Sequence, residues 1–322
     1  MIDKTLEKIL FFLKTHKGYI SGEEISGYFS LSRSAIWKYI QHLRDLGYII
    51  EAVPHLGYRL LKLPDKLLPY EVNWKLPTKF MGKNIHYFET TNSTMDVAHN
   101  LAKEGSPEGT VIIAEFQTKA RGRFKRKWFC VPYKGLYFSF ILRPDIHPNK
   151  VAIFNLLSAI SVVEAIKETS GIQTELKWPN DVILNEKKLA GILTELEAES
   201  EKIHFVVVGI GINVNNEAKE LIEGAISLRQ YKDELVNRLE LMRHLLIKLE
   251  KYYLLFKAKG TSFILDKWRM YSNTLGKIVK IVQTNKVLVG LAQDIDEDGS
   301  LLLRNESGLI ERINAGDLFY CR

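Results

Sequence analysis

The chain has 322 residues, too many for one small module, and its 46% hydrophobic and 26% charged residues fit a globular protein of two or three domains. A net charge of +7 favours polyanionic partners such as nucleic acid or nucleotide phosphates. The two cysteines, Cys130 and Cys321, exclude a disulfide framework and a cysteine metal cluster, and no apolar run is long enough for a signal peptide or a membrane span, so the expected setting is cytoplasmic with no membrane partner.

Residues 1–63 read as a helical unit closed by a hairpin. Leu6, Ile9, Leu10 and Leu13 mark one face of a first helix. Ser21 with Glu24 is a capping-box signal for a second helix, and Ser30-Leu31-Ser32 turns into a third. That helix has the inner stripe Ile36, Ile40, Leu43 and Leu46 and is stopped by Gly47. Two β-rich runs, 48–53 and 58–61, flank the turn Pro54-His55-Leu56-Gly57. Helix–turn–helix followed by a hairpin is the order of a winged DNA-binding module. Its third helix turns Arg33, Ser34, Trp37, Lys38 and Gln41 outward to reach phosphates and base edges, with His55 and Arg59 on the wing. A protein-interaction module with a basic face is the competing reading.

Residues 64–82 hold three prolines and read as a linker with one short helix. Residues 83–270 alternate strand and helix signals. Strands are expected at 85–88, 111–116, 136–142, 175–178, 182–184, 189–196 and 203–210. Helices are expected at 96–104, 151–169 and 232–259. The apolar stretch 151–166 is broken by Asn155 and Glu164 and reads as a buried helix. Residues 271–322 carry short β runs split by Asp/Gly turns, as in a small barrel. The fold class is α+β: a winged helix-turn-helix, a central mixed sheet with covering helices, and a small SH3-like β-barrel.

Four segments of the central region carry chemistry. Residues 117–128 pack Lys119, Arg121, Arg123, Lys125, Arg126 and Lys127 together with no acid, so the loop should be mobile unless an anion sits in it. A triphosphate or acyl phosphate would serve, and a second nucleic-acid patch is an equal reading. Asp181, after Lys177-Trp178-Pro179-Asn180, is either a magnesium ligand or a turn cap. Lys188 opens an apolar strand, where it is a strand-end lysine or a charge stabiliser. Gly209-Ile210-Gly211-Ile212-Asn213 permits close approach to a ligand, yet Val214 stands where a dinucleotide fingerprint needs a third glycine.

In this order, these segments resemble the bifunctional biotin–protein ligase and biotin operon repressor family over essentially the whole chain. The resemblance rests on Ser21-Gly22-Glu23-Glu24, residues 32–36 and 43–45, Gln117 with Arg121-Gly122-Arg123 and Trp128, residues 177–181 and residues 188–193. It implies adenylation of biotin by MgATP to biotinyl-AMP, then transfer to a lysine of a biotin carboxyl carrier protein. It implies further that biotinyl-AMP is the corepressor of a homodimer on operator DNA. By similarity Lys188, Arg123 and Asp181 are catalytic, and Asp181 takes Mg2+. Ser93, Thr94, Met95, Gln117, Arg121, Gly122, Arg123, Lys188 and Gly191 hold biotin. Arg121, Arg123, Trp128, Lys177, Asn180, Lys188 and Asn213 hold ATP or the adenylate. Gly22, Ser32 and Ala35 join Arg33, Ser34, Trp37, Lys38 and Gln41 at the DNA. The chain departs from the family pattern at Met95, Ala120, Phe124 and Lys125, which puts the path of the loop and retention of the intermediate in question. Two other readings compete: a lipoate or octanoyl transferase, and a ligand-sensing transcription factor without catalysis. The biotin-like residues 121–123 and 177–181 weigh against the first, and Lys188 with Asp181 against the second.

Overall fold

A computed structural model describes residues 4–284 and 286–321. The chain forms two compact units, residues 1–70 and 71–322.

In the first unit α1 (Lys4–Thr15), α2 (Gly22–Phe29) and α3 (Arg33–Asp45) precede the hairpin of β1 (Ile49–Val53) and β2 (Gly57–Lys62). Leu6, Ile9, Leu10, Ile25, Ile36, Ile40 and Leu43 are fully buried between the helices, as the 3.6-residue spacing requires. The Ser21 hydroxyl accepts the Glu24 N–H and the Ser32 hydroxyl accepts the Ala35 N–H, so each of the two helices starts on a serine cap. Gly47, at φ +99°, ends the third helix in a conformation that a Cβ disfavours.

The second unit begins at Glu71, within α4 (Pro69–Asn73). Much of the stretch expected to be linker is built into it. Val72 and Met81 are fully buried, and the Glu250 carboxylate accepts the backbone N–H groups of Lys79, Phe80 and Met81. Next come β3 (Ile85–Thr91), α5 (Thr94–Lys103), β4 (Val111–Gln117), β5 (Leu136–Leu142) and α6 (Ile153–Ser170). Then follow β6 (Glu175–Lys177), β7 (Asp181–Leu184), β8 (Lys187–Glu199), β9 (Lys202–Ile212), α7 (Leu228–Lys232), α8 (Arg238–Lys259) and α9 (Ser262–Tyr271). The seven strands form one mixed sheet in the order β3-β4-β5-β9-β8-β7-β6, with β3 and β4 parallel and the other pairs antiparallel.

Alternation along the strands divides the sheet's two faces. Ile112, Ile141, Phe205 and Val207 pack against Met95, Ala98 and Ala102 of α5. The opposite face carries α6, whose residue Asn155 accepts from the Thr194 hydroxyl. The apolar α6 is long enough to cross a membrane, but it is mostly buried within the protein. A single helix over 232–259 does not form. Asp233 turns left-handed at φ +59°, and α8 restarts on an Asn237 cap.

The tail adds β10 (Ile278–Val282), β11 (Val287–Ile295), β12 (Leu301–Arg304), β13 (Ile310–Ile313) and β14 (Asp317–Tyr320). They form a five-stranded antiparallel sheet in the order β13-β12-β11-β10-β14. It is tied to the larger sheet: Trp178 donates from its backbone N–H to the Thr274 hydroxyl and from Nε1 to the Gly299 carbonyl. Neither α9 nor β14 was anticipated from the sequence pattern.

Candidate active site and nucleic-acid interface

On the face of the large sheet that carries α5, a cleft of about 340 Å³ opens between the sheet and the loop 118–128. Its lining includes Ser93, Thr94, Met95, Gln117, Arg121, Gly122, Arg123, Trp128, Lys177, Asn180, Asp181, Lys188 and Gly191, so most of the expected site residues converge. One wall is apolar, with Phe138, Ile210 and Leu193, and the rest carries the cations Arg123, Arg126, Lys127, Lys177 and Lys188. An apolar wall beside convergent charge suits a ligand with an apolar body and an anionic end.

At the apolar end, Gln117 Oε1 accepts the Thr94 N–H at 2.7 Å and the Thr94 hydroxyl at 3.1 Å, and Thr94 Oγ1 lies 2.8 Å from Ser139 Oγ. This fixes the N-terminus of α5 against β4 and β5. Cys130 lies 3.8 Å from Gln117 Nε2, and burial pushes its thiol up to about 12, which leaves it unreactive.

The paired glycines of β9 do not stand open to a ligand, as the sequence had suggested. A Cβ at Gly209 would lie 2.6 Å from Met95 Sδ, and one at Gly211 would lie 2.7 Å from the Trp128 indole. The same indole lies over Gly191, 2.9 Å from where its Cβ would be. These glycines are therefore seats for two of the protein's own side chains. Trp128 Nε1 is buried against Gly211 with no hydrogen-bond partner among the described residues.

At the charged end, the hairpin of β7 and β8 brings Lys188 Nζ to 2.7 Å from Asp181 Oδ1 and 5.5 Å from the centroid of the Trp128 ring. Asn180 donates to the Ile192 carbonyl at 2.7 Å and accepts from Arg123 at 3.3 Å. Burial holds Lys177 below the usual lysine range, and Lys177 Nζ sits 5.0 Å from the Tyr320 ring. Among the described residues no three His, Cys, Asp or Glu side chains converge as a metal cage. Two carboxylates, Asp181 and the Arg126-bound Asp317, beside several cations fit a magnesium ion that arrives with a nucleotide and keeps phosphate ligands; they do not fit a resident ion with an all-protein shell.

The basic loop is not an unpaired run of like charge. Its acids come from distant elements. Arg121 is held by Glu195 from β8, with Nε–Oε1 at 3.3 Å and Nη2–Oε2 at 3.2 Å, and by Asp96 from α5 at 2.5 Å. Arg126 pairs with Asp317 of β14, and Arg123 donates to the Gly316 carbonyl at 3.2 Å. The loop is closed on itself by Gly122 N–H to the Arg126 carbonyl (2.7 Å) and Trp128 N–H to the Ala120 carbonyl (3.0 Å). Ala120 is buried without a positive φ, so alanine costs nothing there. Phe124 and Lys125 take the left-handed conformation instead, at φ +54° and +57°.

Asn213 is not brought to the cleft wall. It is buried beyond the end of β9 and donates to the Ile226 carbonyl at 3.2 Å, fixing that connection. Asp96, Glu195, Gly316 and Asp317 have no local signal in the sequence. An acid-free cationic loop calls for acids from elsewhere, but does not say which.

In the first unit, Arg33, Ser34, Trp37 and Lys38 are exposed along α3, and Gln41 and Ala35 are half-buried. Ser34 Oγ lies 2.9 Å from Ser32 Oγ, and Arg33 pairs with Glu23 at 2.6 Å on the surface. Half-buried Gly22 faces the wing, with Tyr58 3.5 Å from its Cβ position. Arg59 is turned into the hairpin, 2.8 Å from Glu51 and 4.6 Å from the Tyr19 ring centroid, rather than out toward a phosphate. His55 remains exposed at the tip.

Residues 87–213 match the Biotin/lipoate A/B protein ligase family, residues 5–59 match an HTH domain, and residues 274–319 match the Biotin protein ligase C terminal domain. The chain is 41% identical to the bifunctional ligase/repressor BirA of Bacillus subtilis over 98% of both proteins. It is 30% identical to the bifunctional ligase/repressor BirA of Escherichia coli over 99% of this chain and 98% of that one. The biotin protein ligase of Aquifex aeolicus, solved in complex with biotin and ATP, superimposes with a TM-score of 0.63 at 32% identity, covering 74% of this chain and 99% of that one. The site, the order of the three regions and the full-length likeness agree: the chain belongs to the family of bifunctional biotin ligases and repressors.

Proposed function

We propose that this protein joins biotin to ATP in the cleft over the large sheet, passes the biotinyl group to a carrier-protein lysine, and represses transcription through its first unit. The observation that carries the ligase reading is the convergence of Lys188, Asp181, Arg123 and Trp128 beside an apolar wall that ends at Met95 and Gln117. The biotin ring system lies toward Ser93, Thr94, Met95 and Gln117, and Gly191 serves it through the Trp128 indole that it seats. Its carboxylate points to Lys188, Gly122 and the guanidinium groups of Arg121 and Arg123. The nucleotide lies along Trp128, Lys177 and Asn180.

The chemistry follows from charge. A biotin carboxylate oxygen forms a bond to the α-phosphorus, the bond from that phosphorus to the bridging oxygen breaks, and pyrophosphate leaves with the electron pair. Two anions must meet, and Lys188 and Arg123 offset their repulsion at the new anhydride. Mg2+ brought with the nucleotide and held by Asp181 would neutralise phosphate charge. In the second half-reaction a lysine amine attacks the anhydride carbonyl. The carbon–oxygen bond to phosphate breaks, AMP departs, and the amine loses its proton. We read the five-stranded tail as a small SH3-like barrel. We also read the working form as a cytoplasmic homodimer that places two third helices on a two-half-site operator, with biotinyl-AMP as corepressor.

Incubation with biotin, MgATP and a biotin carboxyl carrier domain, followed by a streptavidin blot, tests the reading; a parallel arm uses lipoate. Biotin on the carrier lysine, and no lipoyl product, is the expected result. Lipoyl transfer with no biotinylation would overturn it.

A further inference from the structure

Glu195 stands outside the expected site, yet it makes the two-pronged contact that fastens the start of the basic loop. Both its oxygens are used by Arg121, through Nε at 3.3 Å and Nη2 at 3.2 Å. His99 Nε2 from α5 approaches Oε2 at 3.0 Å. These two partners hold the Glu195 carboxyl down at about 2, His99 contributing most, so it stays a full anion at any working pH. With its fork occupied, Arg121 directs Nη1 toward Asp96 at 2.5 Å and Ser93 Oγ at 3.5 Å, at the rim of the cleft.

The strand explains why this matters. Residues 191, 193, 195 and 197 of β8 share one face. Gly191 seats Trp128, the last residue of the loop, and Leu193 lines the cleft. The loop is thus pinned to one strand at both ends, by the Arg121 fork on Glu195 and by the Trp128 indole on Gly191, with the cleft wall between the pins. A bidentate guanidinium–carboxylate pair fixes orientation as well as distance, which a lysine or a single bond cannot do.

We propose that Glu195 is a positioning residue for the ligase reaction: through Arg121 it sets the loop over bound biotin and retains the biotinyl adenylate. Glu195 touches neither substrate, and the proposal rests on the ligase reading above. Its loss changes how long ligands stay far more than it changes the chemical step.

The test uses the full chain with biotin and MgATP. Steady-state transfer of biotin to a saturating carrier domain gives KM and kcat, and labelling of a bystander protein without the carrier reports escaped biotinyl-AMP. Glu195→Gln keeps size and loses charge. The expected result is a biotin KM raised about tenfold, kcat within about twofold, and escape of the adenylate faster by about tenfold. Arg121→Lys should reproduce the escape, and the double variant should exceed neither single change, because the two residues act as one unit. Glu197→Gln, which breaks only the exposed neighbouring pair with Lys103 at 3.0 Å, should leave all three quantities unchanged. The proposal falls if Glu195→Gln matches the wild type in biotin KM and escape, or if its effect adds in full to that of Arg121→Lys. A wild type that makes no biotinyl-AMP would instead contradict the ligase reading itself.

Discussion

Gly211→Ala is a one-carbon change with a calculable consequence. The new Cβ would lie 2.7 Å from Trp128 Cε2 and 2.8 Å from Nε1. To regain ordinary contact at 3.4 Å the indole must retreat by about 0.7 Å. Overpacking of this kind costs about 1–3 kcal/mol in a rigid core. Trp128 belongs to a loop that can lift, so the cost belongs at the low end, about 1 kcal/mol, or a Tm lower by roughly 2–4 °C. The functional effect should be larger than the stability effect. Base–aromatic stacking is worth about 1–3 kcal/mol, and a tilted indole gives up much of that. The expected outcome is an ATP KM raised about tenfold in a pyrophosphate-release assay, with biotin KM little changed. A variant with wild-type ATP KM would refute the placement of the nucleotide along Trp128.

Three further outcomes follow from particular residues. Arg238 and Glu115 form a fully buried ion pair at 2.7 Å, so Arg238→Met should lower stability by about 3–5 kcal/mol in denaturant melts; a loss under about 1 kcal/mol would contradict the pairing. Glu195 titrates at about 2 in the folded protein against 4.5 for the ordinary carboxyl, so its stabilisation is present above about pH 4.5 and fades as pH falls toward 2. The Tm gap between wild type and Glu195→Gln should therefore narrow over that window, and a gap independent of pH would count against the ion pair. Exposed Lys38 should act on phosphate: Lys38→Gln should weaken binding to all DNA sequences alike and reduce the slope of log affinity against log salt by about 1. An unchanged slope would remove Lys38 from the interface.

Elements with one strong periodicity were legible from the sequence. The stripe Leu6, Ile9, Leu10, Leu13 and the strand at residues 136–142 stand where the pattern puts them, because burial on one face or two writes itself into spacing. The break at Asp233, the helix α9 and the last strand β14 were missed. Each is short or set by tertiary contacts, as where Arg269 of α9 pairs with Asp294 of β11 at 2.8 Å. The same division holds at the site. Lys188, Asp181 and Trp128 sit in compact motifs and were named from them. Asp96, Glu195 and Asp317 lie 25, 74 and 191 residues from their arginine partners, so only the fold brings them together. The expectation of a loop driven apart by its own charge failed for that reason: its counter-ions are not in its neighbourhood along the chain. Asn213 shows the other direction: its amide nitrogen, at the end of a glycine-rich strand, donates to the Ile226 carbonyl, a partner that only the fold supplies.

The central claim is that this cleft makes an acyl adenylate from biotin. The direct measurement is to mix purified protein with biotin and MgATP and detect biotinyl-AMP by mass spectrometry, beside Lys188→Ala. The account predicts that the adenylate forms with the wild type and falls by at least about 100-fold in the variant, the scale expected when a charge-stabilising group is removed. No adenylate from the wild type, or an undiminished yield from Lys188→Ala, would contradict it.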